Sequence, residues 1–117
     1  MPRSGRGWKA GVAVTLAQRL GLGSRLTEVV WSGEALDDLD DIYLIVASEK
    51  PIAALNLARR LYSAGDSLEL FPNRGRKASN GARELTNVGP YILRYDYEEV
   101  VDRATILTVR HGARDAG

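Results

Sequence analysis

The sequence predicts an α+β domain in which a helical hairpin packs on one face of a small, mainly antiparallel, twisted sheet. Three observations predict it. Between Arg83 and Arg114 the chain carries runs whose alternate residues differ in polarity, as strands with two unlike faces require. Between Ala35 and Leu68 apolar residues recur at steps of three and four, the spacing of two amphipathic helices. Strand and helix patterns are also segregated along the chain, in the order β, α, α, β, β, β, which is the α+β arrangement.

Each element has its own signal. Leu26–Trp31, LTEVVW, is a short β-branched and aromatic run that reads as a strand. Ser32 stands at an N-cap position, and Glu34 lies in the first turn of the following helix, where its charge suits the dipole. Ala35, Leu39, Ile42 and Val46, with Leu36 and Tyr43 beside them, form its apolar stripe; Asp37, Asp38 and Asp41 fall on the other side and read as a solvated acidic face. Pro51 suits the first turn of a second helix, whose seam is Ala54, Leu57, Leu61, Ala64 and Leu68, with Arg59 and Arg60 pointing elsewhere. The short link Ser48–Lys50 makes the pair an antiparallel hairpin.

Phe71-Pro72-Asn73-Arg74-Gly75-Arg76 ends the helical part, and Lys77–Ala82 reads as a flexible polar loop. It leads into a three-stranded antiparallel meander. Arg83–Val88 is followed, after Gly89-Pro90, by a strand in which Tyr91, Leu93, Tyr95 and Tyr97 share one face. After the turn Glu98–Arg103 comes a strand in which Leu107, Val109 and His111 share a face.

A chain of 117 residues suits one modest core. With no cysteine and a single histidine, neither a disulfide framework nor a thiolate metal site is available; no metal and no cofactor are expected. No segment approaches the roughly 20 apolar residues of a membrane helix, and the expected location is cytoplasmic. Residues 1–25 are expected to be an extension outside the domain, disordered or arising from gene-start assignment, with the domain proper at 26–117. The formal charge of +1 conceals segregation: residues 1–31 hold five Lys/Arg against one Glu, and residues 32–71 hold three against eight acids. Residues 72–117 hold eight Lys/Arg against six acids, and between Arg74 and Arg94 five cations face Glu84 alone. Such a cluster favours an acidic or polyanionic partner.

Several pieces, in order, resemble the RelE/ParE superfamily of type II toxin–antitoxin toxins, a group that includes plasmid stabilisation proteins. They are VVWSGEALDDLDDI, PIAALNLARRL, LELFPNRGR, RELTNVGPYILRYDY and ILTVRHGAR, together spanning Glu28–Arg114. RELxxxxPYILRY followed by HGAR is most similar to the ParE-like branch. The resemblance implies a small toxin bound and silenced by a cognate antitoxin in a hetero-oligomer. It also implies one of two activities: inhibition of DNA gyrase by binding, as in ParE-like members, or ribosome-dependent cleavage of mRNA, as in RelE-like members. A third reading is a degenerate member that binds antitoxin without toxicity.

Cleavage through a ribose 2′-hydroxyl needs a base, an acid and cations around the transition state. Arg83, His111 and Arg114 are the candidates for that role, and with the chain as given ending in Asp115-Ala116-Gly117, without the terminal aromatic of RelE-like enzymes, the expectation is a binding toxin. The surface expected to meet antitoxin or target comprises Arg74, Arg76, Lys77, Arg83, Tyr91, Arg94, Tyr95 and Arg110. Each has a plainer alternative. His111 alternates with Leu107 and Val109 and reads equally as a structural imidazole, the tyrosines as core aromatics, and Arg83 as a cross-strand ion-pair partner.

Overall fold

The structure, a computed structural model, describes residues 26–112; residues 1–25, the extension, and Arg114 lie outside them. β1 (Glu28–Trp31) is followed by α1 (Gly33–Ala47), α2 (Pro51–Asp66) and a 3-10 turn (Ser67–Glu69). β2 (Arg76–Lys77), β3 (Arg83–Val88), β4 (Tyr91–Glu98) and β5 (Arg103–His111) complete the fold. The strands form one sheet in the order β1-β5-β4-β3-β2. β1 runs parallel to β5 and every other pair is antiparallel, so the expected sheet is present with one parallel edge.

Ser32 fixes how the first strand hands over to the first helix. Its backbone N–H donates to the Ile106 carbonyl of β5, its Oγ accepts from the Ala35 N–H as an N-cap, and the same hydroxyl donates to the Leu107 carbonyl. α1 then buries Ala35 and Leu39, and α2 buries Ala54, Ala58, Leu61, Tyr62, Ala64 and Gly65. Of these, Ala35, Leu39, Leu61, Tyr62 and Ala64 meet Leu85, Val88, Leu93, Tyr95, Ala104, Ile106 and Val109 from the sheet in one core. Removing side chains such as Leu39, Leu61 and Ile106 from water contributes roughly 1.5–3 kcal/mol each. Trp31 stacks on Tyr62 with ring centroids 4.9 Å apart and so ties β1 to α2.

The sequence reading needs three changes. Lys77 is not in a loop: Arg76–Lys77 pairs with Glu84 and Arg83 as a short edge strand, closed by the Ala78 N–H on the Ala82 carbonyl. Leu68 belongs to the 3-10 turn and still reaches the core. In β5 the alternation slips: Arg94 faces Thr108 but Tyr95 faces Ile106, leaving Leu107 as an extra, bulged residue. Ala104 and Ile106 therefore point inward before the bulge and Val109 after it, whereas strict alternation had put Leu107 on the buried side.

Candidate functional site

β4 carries the expected contact residues and its pairing sets their distribution. At one end, Tyr91 lies opposite His111; four residues along, Tyr95 lies opposite Arg83. At about 3.3 Å per residue the two ends are about 13 Å apart. Arg83 and His111 consequently do not converge, and the cleavage set expected from the sequence is not gathered around one point among the described residues.

Around Arg83 the contacts are structural. Its Nη1 donates to the carbonyls of Gly75 at 2.7 Å and Asn73 at 3.1 Å, pinning the segment that follows the 3-10 turn. Tyr95 serves the same segment: its hydroxyl donates to the Pro72 carbonyl at 2.7 Å and accepts from the Gly75 N–H at 3.0 Å. Tyr95 is 0% exposed, so it is not a surface contact as expected but the polar anchor of a buried turn. Burial pushes its phenol pKa up. Gly75 is required here, since a Cβ would lie 2.7 Å from the Tyr95 ring and 3.0 Å from the Glu84 carbonyl.

In the middle of the sheet, Glu84 on β3 lies directly between Arg76 on β2 and Arg94 on β4. Arg94 Nη2 reaches Glu84 Oε2 at 3.0 Å and Arg76 Nη2 reaches Oε1 at 3.2 Å. The bond from Arg94, reinforced by Arg76, holds the carboxyl below its ordinary range. Two cations of the expected basic cluster are thus shared with one internal acid, and the trio retains a single net positive charge.

At the far end, Tyr91, Arg110 and His111 come together. The Tyr91 and His111 rings meet edge to face at 5.3 Å. With Val109 they line a cleft of about 370 Å³ against Asp38, Asp41, Ile42, Ile45 and Val46 of α1. Arg110 reaches Glu34 at 3.5 Å. Asp38 was read as part of a solvated face, yet its Oδ2 accepts the Val109 N–H at 2.9 Å. β1 ends at Trp31, opposite Ile106, so beyond that point the helix carboxylate takes the place of a neighbouring strand. Burial raises the Asp38 pKa against the lowering effect of that bond. No signal in the sequence distinguishes Asp38 from Asp37 or Asp41, because its partner is fixed only by the β1–β5 register.

Arg74 stands apart, its Nη1 on Ser67 Oγ at 2.8 Å. Lys77, with Arg83 and Tyr97, lines a separate hollow of about 380 Å³. No group of three or more His, Cys, Asp or Glu among the described residues is placed to hold a metal ion, and no helix among them is long and apolar enough to cross a membrane.

A hairpin of helices over a five-stranded mixed sheet is shared with chains of two solved toxin–antitoxin systems. The chain matches a chain of the chromosomal ParDE TA system from P. aeruginosa with a TM-score of 0.64 at 22% identity, over 75% of this chain and 98% of that one. It matches a chain of the Mycobacterium tuberculosis RelBE2 toxin–antitoxin complex with a TM-score of 0.55 at 22% identity, over 74% and 98%. Toxin RelE2 of Caulobacter vibrioides is 40% identical over 89 residues, covering 76% of this chain and 99% of that protein. The model of the ParE toxin of the type II toxin–antitoxin system parDE matches residues 29–116. The chain belongs to this ParE toxin family, within the RelE/ParE superfamily.

Proposed function

We propose that this toxin acts by binding DNA gyrase in the cytoplasm and is held inactive by a cognate antitoxin. The observation that carries the reading is the separation of Arg83 from His111: Arg83 is committed to two backbone carbonyls and lies about 13 Å along the sheet from His111. Among the described residues, a surface on which Arg83 does not join His111 suits action by contact. A supercoiling assay with purified toxin tests it. Loss of supercoiling with accumulation of a cleaved gyrase–DNA complex is expected; full supercoiling at excess toxin refutes it.

The antitoxin is proposed to lay an amphipathic, partly acidic segment over the helical hairpin and the basic side of the sheet. Leu44, Ile45, Ile52 and Leu55 support this, since they expose apolar area around the hairpin tip, with Ile52 76% exposed. Charge reversal at Arg83 and Arg94 should weaken the complex more at low salt than at high salt; equal affinity at both would remove the basic residues from the interface.

One observation favours a second reading, ribosome-dependent mRNA cleavage. Tyr91, Arg110 and His111 share a cleft, and the Caulobacter relative carries the name RelE2. Primer extension on mRNA from induced cells would then show cuts that vanish in His111→Ala.

A further inference from the structure

We propose that the groove between α2 and β3 binds the phosphodiester backbone of a nucleic acid. The groove, about 370 Å³, is lined by Arg59, Arg60, Ser63, Ser67, Arg74 and Asn87, with Ala64 and Val88 at its apolar floor. No acid lines it. The arginines around it differ from the others in how they are neutralised. Of the eight arginines in the described residues, Arg76 and Arg94 sit on Glu84, Arg103 on Glu28 and Arg110 on Glu34. Arg83 is spent on two carbonyls. Of the four without a carboxylate among the described residues, Arg83 is held by those carbonyls, and the other three, Arg59, Arg60 and Arg74, all face this one groove.

Spacing follows from the helix. Arg59, Ser63 and Ser67 are four residues apart, and Arg60 lies three before Ser63, so they share a stripe along α2 into the 3-10 turn. At 1.5 Å per residue the stripe from Arg59 to Ser67 is about 12 Å long, the axial length of three to four nucleotides on one strand. The guanidinium groups, the Ser63 hydroxyl and the Asn87 amide are donors of the kind that phosphate and sugar oxygens accept from, while Ser67, whose hydroxyl donates to the Ala64 carbonyl, holds Arg74 in place. An acidic peptide would satisfy the charge, but the groove offers it only Ala64 and Val88 as apolar anchors. The proposal goes beyond the gyrase reading and stands without it.

The test is fluorescence anisotropy of the full chain with a labelled 20-base-pair DNA, a single-stranded RNA 20-mer and polyglutamate, each at 50 and 200 mM salt. Three phosphate contacts give a log–log salt slope near −2.7 for duplex and −2.1 for a single strand, or about 40-fold and 20-fold weakening over that range. Arg59→Ala/Arg60→Ala should reduce the slope by about 1.8 on duplex or 1.4 on a single strand. The charge-matched Lys50→Ala/Arg103→Ala should leave it unchanged. The tighter of the two nucleic acids identifies the source of the backbone. Arg59 and Arg60 are exposed and have no partner among the described residues, so the double variant keeps the fold, which thermal unfolding verifies. Equal slopes in both double variants, or binding of polyglutamate with no binding of either nucleic acid, overturns the proposal.

Discussion

Gly65→Ala places two known effects in opposition. Gly65 lies in the last turn of α2, where alanine improves helix propensity by up to about 1 kcal/mol. A Cβ at that position would lie 2.3 Å from Trp31 Cζ2, 2.6 Å from Ile106 Cδ1 and 2.9 Å from Trp31 Cη2. Ordinary carbon contacts need about 3.5–4.0 Å, so the indole would have to retreat by more than about 1 Å. It is held on the other side by its stack on Tyr62, and Ile106 is fully buried. Overpacking of this kind costs typically about 1–3 kcal/mol. The clash outweighs the propensity gain, and the expected outcome is a net loss of about 1–2 kcal/mol. For a domain of this size that lowers Tm by roughly 4–15 °C. Urea unfolding followed by circular dichroism reads it, with the slope m unchanged. In a Trp31→Phe background the same substitution should cost less, because the part of the ring that is struck is gone. A Gly65→Ala protein as stable as the parent would refute the packing argument.

Three further outcomes follow from the sheet contacts. Asp38→Ala leaves the Val109 N–H, on a residue 3% exposed, without its acceptor and should cost about 1–3 kcal/mol in urea unfolding, whereas Asp38→Asn keeps an acceptor and should cost less. Glu84 has its pKa lowered from an ordinary 4.5 by Arg94 and Arg76, so its contribution is present above about 4.5 and is lost as pH falls through the folded value. Stability measured from neutral to acid pH should therefore fall less steeply in Glu84→Gln than in the parent. Tyr95→Phe strands the Gly75 N–H and the Pro72 carbonyl, and a loss of about 1–3 kcal/mol is expected in the same unfolding assay.

The fold was largely legible because its signals are local. The Ser32 cap, the Pro51 start and the two apolar seams are written within a few residues of where they act, and the helices lie where those signals put them. What escaped depends on register. The Leu107 bulge is set by how β5 meets β4 and shifts the buried parity without any glycine or proline to announce it. β2 is two residues long and is held by its pairing with Glu84 and Arg83 and by the Ala78–Ala82 hydrogen bond, which no residue pattern announces. The site was legible as a composition of cations and tyrosines, not as a geometry. Charge counting grouped Arg74, Arg76, Lys77, Arg83 and Arg94 by position in the chain. In space, Arg76 and Arg94 neutralise Glu84, Arg83 braces a turn, and Arg74 faces Arg59 and Arg60 from another element.

The Ser32 hydroxyl both accepts a hydrogen bond from the helix start and donates one to the bulge in β5, and Asp38 adds a second rivet one and a half turns on. Past Asp38, the α1 wall of the cleft is Asp41, Ile42, Ile45 and Val46, of which Ile42 packs against the core. A ligand entering that cleft would therefore meet α1 beyond both of its polar attachments to β5, while α2 stays anchored through Leu61, Tyr62 and Ala64 in the core.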